Sequence, residues 1–221
     1  MLFDRDLLKQ NRARAFKSGV TNHFLVEEIR SRIGENIELL NRKFENILEI
    51  NEENFSYPEN SFDLIINNLD FHYINDIPQY LIKIKHILKP GGIFIASFFG
   101  EENLSELAHV LHLVENEIYN GVSPRMPPTI DVKTAAALIQ KAGFQNPISD
   151  FDRIEVEYGD PVNLLKDIKA MAQGNIMIQR SRRFFTKKFL SKILENYRRL
   201  YQSSNGKVLA TFEVVTICGS K

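Results

Sequence analysis

Ten consecutive residues, Asn67 to Asp76, gather three amides, two carboxylates, an imidazole and a phenol: Asn67, Asn68, Asp70, His72, Tyr73, Asn75 and Asp76. An imidazole titrates near neutrality and can take a proton from a reacting group, and an aromatic face attracts a cation. The same stretch also reads as a strand exit followed by a helix that Asp76 caps. His109 and His112 stand three apart with Glu106 and Glu115 within reach of one helix face, but no further ligand follows at a recognisable spacing, so no metal centre is expected. Arg180, Arg182, Arg183, Lys187 and Lys188 are interleaved with Phe184 and Phe185. That cluster could meet an acidic carrier protein, RNA or an acidic protein surface, and a solvated face beside a buried Phe pair is the favoured reading. Signatures of phosphate-cradling loops or nucleophile elbows are absent.

These residues need elements to hold them. Phe62–Asn67 is a near-continuous apolar, β-branched run, the pattern of a strand buried on both faces of a parallel sheet. Asp76–Leu88 carries Ile77, Tyr80, Leu81, Ile84 and Leu88 at helical spacing, and Lys89-Pro90-Gly91-Gly92 is expected to stop it. Ile93–Phe99 is a second buried strand, which completes a βαβ unit. Upstream, the pattern predicts helices over Asp6–Lys17, ended by Ser18-Gly19, and Asn22–Ile33, capped by Thr21 and stopped at Gly34, then a short strand at Asn46–Ile50. Downstream, helices are predicted over Glu102–Ile118, from Asp131 to Ala142-Gly143, and over Pro161–Ala172 and Thr186–Gln202, with strands at Ile154–Tyr158 and Val208–Cys218. The expected architecture is a three-layer α/β domain with helices inserted between the last two strands.

The 221 residues suit one domain: amino-terminal helices over 1–45, a sheet core over 46–150, and carboxy-terminal strands with inserted helices over 151–221. Hydrophobic residues at 43% and charged residues at 25% exclude a disordered, fibrous or membrane-embedded chain. Twenty-eight basic and 28 acidic residues cancel, so no overall field draws the chain toward nucleic acid, and no nucleic-acid partner is expected. The longest nearly uncharged apolar stretch, around Gly91–Gly100, falls far short of the ~20 residues that span a bilayer. Cys218 stands alone, so no intramolecular disulfide can form. Met1–Lys17 is charged from Asp4 onward and lacks a secretory apolar stretch, which makes a cytoplasmic location the default expectation.

The strings Asn60-Ser61-Phe62-Asp63-Leu64-Ile65-Ile66-Asn67, His72-Tyr73-Ile74-Asn75-Asp76 and Leu88-Lys89-Pro90-Gly91-Gly92 resemble the fourth strand, following helix and fifth strand of class I S-adenosylmethionine-dependent methyltransferases of the type 11 group. Phe3-Asp4-Arg5, Ser123-Pro124-Arg125, Ala142-Gly143-Phe144, Asp167-Ile168-Lys169-Ala170-Met171 and Asn175 are similar to a narrower branch. That branch holds the carrier-protein methyltransferase of biotin synthesis and an assembly factor of respiratory complex I associated with arginine hydroxylation. The resemblance implies a Rossmann-like fold, S-adenosylmethionine as cofactor, and a small-molecule or protein acceptor, a complex I subunit among the candidates. It implies cofactor contacts at Glu49, Asn51, Glu52, Asn67, Asn68 and Leu69, with His72 and Tyr73 beside the acceptor. Asn51 equally suits a turn before Glu52-Glu53. By analogy with the fold, Arg12, Arg14 and Arg125 would border the substrate entrance.

One segment departs from the family. Its first strand ends in a glycine-rich turn, then a helix, a second strand and a ribose-binding acid; here Leu48-Glu49-Ile50 resembles the end of the first strand, and Asn51–Tyr57 already resembles the segment after the third. Glycines serve such turns because a backbone without Cβ bends tightly and approaches the cofactor closely. Gly34 lies before the strand and Gly91-Gly92 belongs to the helix stop, so no residue takes that part. Either the gene has lost roughly one βαβ repeat or the natural protein has a segment that this chain lacks. A sheet so shortened exposes an edge, and pairing into a homodimer or low stability is expected to follow. The alternatives to methyl transfer are an assembly factor of the respiratory-complex kind, acting on a protein arginine or binding a subunit without methyl transfer, and a degenerate, non-catalytic remnant.

Overall fold

The computed structural model describes residues 1–17, 19 and 23–221. Its helices are α1 (Arg5–Lys17), α2 (Phe24–Leu39), α3 (Ile77–Ile87), α4 (Ser105–Tyr119), α5 (Val132–Lys141), α6 (Pro161–Ala170) and α7 (Lys187–Tyr201). Its strands are β1 (Ile47–Glu49), β2 (Phe62–Asn68), β3 (Leu88–Phe99), β4 (Gln145–Tyr158) and β5 (Val208–Ser220), in the sheet order β1-β2-β3-β5-β4. Ser18, Thr21 and Asn22, assigned above to a helix stop, a cap and a helix start, lie outside the described residues.

The βαβ unit forms as the residue pattern requires. β2 and β3 are parallel neighbours, with Leu64 opposite Ile93 and Asn68 opposite Ser97. Consecutive residues Leu64 and Ile65 are both fully buried, as are Phe94 and Ala96 with Ile95 between them at 2% exposure, so both faces of these strands are covered. Asp76 caps α3 by accepting from the Gln79 N–H at 3.0 Å, and Pro78 fits the first turn, where no N–H is needed. α3 ends at Ile87, but Lys89-Pro90-Gly91-Gly92 is drawn into β3 rather than lying before it. The register shifts there between Phe62 and Leu64, and a Cβ on Gly92 would lie 2.8 Å from the Lys89 carbonyl and 3.0 Å from that of Phe62. Glycine is what lets the bulge close.

The expected stop at Gly34 is wrong. α2 runs on to Leu39, because Ile33 and Ile37 keep the helical spacing and a single glycine costs only about 1 kcal/mol inside a helix. β4 begins earlier than the alternation at Ile154–Tyr158 suggests. Its first half is mostly exposed, a sheet-edge strand held by backbone pairing with no apolar signature.

The chain divides into two compact units. One comprises Met1–His23, Glu102–Pro128 and Arg153–Glu213; the other comprises Phe24–Glu101, Thr129–Asp152 and Val214–Lys221. In the second unit, Leu81 and Ile84 of α3 and Ala135 and Ile139 of α5 join Ile65, Phe94, Val215 and Ile217 in one apolar cluster. β3 and β5 pair antiparallel there, Ile95 opposite Cys218. Burial pushes the Cys218 thiol up to about 11, leaving little of the reactive thiolate at neutral pH.

β1 is the strand whose family neighbours the sequence lacks. It pairs parallel with β2, Ile47 opposite Leu64, and no strand covers its outer edge among the described residues. Residues 50–61 return the chain to β2 without a helix, near the minimum length for a parallel crossover. Asp63 clamps the start of this arrangement, accepting from the Asn46 N–H at 2.9 Å, its side-chain amide at 3.1 Å and Lys89 Nζ at 3.1 Å. The Asn46 backbone N–H, then Lys89, holds the Asp63 carboxyl down to about 2. A depressed carboxyl stabilises the fold fully above its unfolded value and progressively less as pH falls through the folded one. Asp63→Asn is therefore expected to flatten the acid limb of a stability profile between about pH 4 and pH 2, read by circular dichroism; an unchanged limb would place the acid sensitivity elsewhere.

In the first unit, α6 ends in a Schellman turn: the Gln173 N–H donates to the Ile168 carbonyl at 2.9 Å and the Ala172 N–H to that of Lys169 at 3.0 Å. Such turns put a left-handed residue after the cap, usually glycine. Here it is Ala172, at φ +59°. Ala172→Gly is expected to raise stability by about 1 kcal/mol, seen as a higher urea midpoint at unchanged slope.

Candidate functional site

At the carboxyl end of an open parallel sheet, strand exits are where ligands bind. The exit of β2 is built from buried polar groups. Asn68 Oδ1 accepts from the Ser97 hydroxyl at 2.9 Å, which itself accepts from the Leu69 N–H at 3.2 Å. That N–H is shared with the Ser97 carbonyl at 2.9 Å, and Leu69 takes a left-handed backbone (φ +54°) that turns the chain off the sheet. Asp70, Phe71, His72 and Tyr73 follow, all buried. Phe71–Tyr73 form one 3₁₀ turn, with the His72 ring 4.2 Å from Tyr73 and 5.7 Å from Phe99, centroid to centroid.

Asn67 is fully buried and donates to Tyr80 Oη at 3.0 Å, while its Oδ1 has no partner among the described residues. Reversing the amide would hand the Tyr80 contact to the oxygen and strand the nitrogen instead. Either way one end of a buried amide is unused, a state that costs about 1–3 kcal/mol unless something fills it.

The residues after β1 are of another kind. Glu49 is half exposed and pairs with Arg30 at 3.1 Å; Asn51 and Glu52 are exposed. Sequence reasoning missed Glu53. Its Oε1 accepts from the N–H groups of Asn75 and Asp76 at 3.1 and 3.2 Å, and its Oε2 from the Asn75 amide at 3.3 Å, which ties the loop after β1 to the start of α3. A carboxylate there also meets the positive end of the helix dipole. Phe55 packs edge-on against Tyr80 at 5.7 Å and fixes the same loop. Thus Asn67, Asn68, Leu69, His72 and Tyr73 gather in and beside one buried strand exit, while Glu49 at the end of β1 and Asn51 and Glu52 after it are exposed.

Other side chains singled out by sequence have structural work. Arg125 binds Glu115 at 2.8 Å and lies over the rings of Phe189 and Phe185, 5.0 and 5.4 Å from their centroids. It is a buried link within its own unit, so the entrance role expected from analogy is replaced by a packing one. His109 meets Tyr201 Oη at 2.6 Å and His112 is exposed. The Phe pair in the basic cluster is not buried: Phe184 is 88% and Phe185 48% exposed. Thr186 caps α7 directly after them, so only Phe189 is turned inward.

A family model described as "Methyltransferase domain" matches residues 13–96, which include β1, β2, α3 and most of β3. The chain is 35% identical over 159 residues to "Putative methyltransferase RP459" of Rickettsia prowazekii, covering 71% of this chain and 69% of that protein. It is 32% identical over 215 residues to "Arginine-hydroxylase NDUFAF5, mitochondrial" of Rattus norvegicus, covering 97% of this chain and 60% of that one. It is 29% identical over 158 residues to "Malonyl-[acyl-carrier protein] O-methyltransferase" of Gallionella capsiferriformans, covering 71% and 51%. The chain belongs to the class I S-adenosylmethionine-dependent methyltransferase family, in the branch that these relatives represent. It spans 60% of the length of its rat relative and 49% of the mouse one.

The family's cofactor carries a sulfonium cation, ribose hydroxyls and an adenine amine. Carboxylates and amides are groups that suit these, and Glu49, Asn51, Glu52, Asn67 and Asn68 are of those types. The unused amide end of Asn67 fits such a guest. The absent glycine turn does not: no glycine stands between Gly34 and Gly91 to let the backbone approach closely.

Proposed function

We propose that this chain is an S-adenosylmethionine-dependent, methyltransferase-like protein whose donor site lies at the carboxyl ends of β1 and β2. Glu49, Asn51, Glu52, Asn67, Asn68 and Leu69 face the cofactor in this reading, and His72 and Tyr73 lie beside the acceptor. The observation that carries it is the half-satisfied Asn67 amide, buried at the exit of the central parallel strand. When bound, the cofactor supplies a methyl group open to in-line displacement. The chain's own share is positioning. Glu49 and Glu52 suit ribose hydroxyls, Asn51 the adenine amine, and His72 the acceptor's proton. Without the glycine turn, binding is weak. Pairing of two copies through the outer edge of β1 belongs to the same reading.

A second reading has one observation behind it: the rat arginine hydroxylase matches over 97% of this chain. On that reading the chain acts on a protein arginine, or binds a respiratory-complex subunit without methyl transfer. Ultraviolet cross-linking of methyl-labelled S-adenosylmethionine followed by peptide mapping tests the first. Label is expected on peptides holding residues 49–53 or 67–73 and competed by S-adenosylhomocysteine. Label confined to other peptides, or not competed, overturns it.

A further inference from the structure

The unit formed by Met1–His23, Glu102–Pro128 and Arg153–Glu213 contains a cavity of about 710 Å³. Small-molecule sites commonly span about 300–1,000 Å³. Asn11, Arg14 and Ala15 of α1 line one side and Lys166, Asp167 and Lys169 of α6 another, with His23 in the wall. Among the described residues of the lining, Asp167 is the only carboxylate, against three side chains that are cationic at neutral pH. Its Oδ2 accepts from the Tyr158 hydroxyl at 2.9 Å, and its Oδ1 lies 3.4 Å from the Nε2 of His23 without a hydrogen bond between them. Neither Arg14 nor Lys169 has an acidic partner among the described residues, and Lys166 reaches only the neutral Asn163 amide, at 3.1 Å.

Tyr158 is buried at 7% exposure and His23 at 8%, so the imidazole is held between a carboxylate and the cavity. Burial, then Asp167, pushes the Tyr158 phenol up, and it stays a donor to that carboxylate.

The geometry points to a binding site for a small organic anion, carrying carboxylate or phosphate groups, in this cavity. Arg14, Lys166 and Lys169 receive the charged groups, with His23 in the wall beside them. The site is separate from the strand-exit residues, none of which line it.

The test uses the full chain labelled in its histidine rings, with the His23 signal assigned by its loss in His23→Gln. Citrate and pyrophosphate are titrated separately at constant ionic strength. One or both are expected to move the His23 signal saturably, citrate alone marking a carboxylate site and pyrophosphate alone a phosphate site. The double variant Lys166→Gln/Lys169→Gln is expected to weaken that response by about tenfold or more. Ala15→Leu, which fills the cavity and removes no charge, is expected to abolish it; Arg182→Gln/Arg183→Gln, at residues that do not line the cavity, should leave it unchanged. The proposal is overturned if neither anion gives saturation, if sodium chloride reproduces the shift, or if the lysine and Ala15 variants respond as the parent does. Circular dichroism of each variant separates lost binding from lost fold.

Discussion

Replacing Glu115 with alanine is expected to cost about 3–5 kcal/mol of stability, because it leaves the Arg125 guanidinium buried without its counter-charge. Glu115 is 1% and Arg125 10% exposed at the side chain, and they meet at 2.8 Å. The carboxylate also accepts from the Ser123 N–H at 2.7 Å and is in contact with the Ser123 hydroxyl, and Asn175 donates to the Pro124 and Arg125 carbonyls at 2.9 Å. Loss of the charge therefore loosens the loop after α4 as well as the ion pair. Burial, the largest influence on this carboxyl, opposes its ionisation, yet Ser123 and Arg125 together hold it below the usual range. The sign follows. Its stabilisation is complete above the unfolded carboxylate value, near 4.5, and fades as pH falls. Glu115→Gln keeps an acceptor for Ser123 and should fall between parent and alanine variant, with a weaker acid dependence. Urea unfolding followed by circular dichroism reads all three; a loss below about 1 kcal/mol for the alanine variant would mean that the pair behaves as a solvated one.

The second large effect concerns binding rather than folding. Asn67→Leu with Tyr80→Phe removes both partners of the 3.0 Å contact and the orphaned amide end together. Replacing a complete polar pair with apolar groups of similar shape is nearly neutral or stabilising, whereas removing one member strands the other. The double variant is expected to unfold at the parent's urea concentration or higher, while its affinity for S-adenosylmethionine drops by about tenfold or more. Gain of stability with loss of binding marks an amide kept for a ligand. Equal binding by parent and double variant would assign Asn67 to the core alone.

The legible parts of the fold are those whose signal is local. Phe62–Asn67 and Ile93–Phe99 show themselves because strands covered on both faces have no room for polar alternation, and Asp76 shows itself because a cap sits next to what it caps. The first half of β4 has no such mark. Gly34 misleads because a helix with Ile33 and Ile37 on its inner face overrides one weak residue. At the site, the amides at the exit of β2 stand out by type and place. Glu53 does not, since its work depends on a loop returning to α3 across 22 residues. Arg125 reads as a surface cation until Glu115 and two rings are seen around it. The cavity with His23 and Asp167 in its wall joins two distant segments, and no spacing within the chain announces it.

The family resemblance told most about the middle of the sheet and about what is missing beside it. β1 pairs parallel with β2, and no strand covers its outer edge among the described residues. The chain carries polar residues at the exit of β2 and no glycine between Gly34 and Gly91.

Equilibrium dialysis of the full chain against labelled S-adenosylmethionine addresses that point directly. Saturable, one-site binding that S-adenosylhomocysteine displaces is expected, at an affinity weaker than micromolar. Binding that stays linear with cofactor up to millimolar, with no displacement, would contradict a donor site at the ends of β1 and β2.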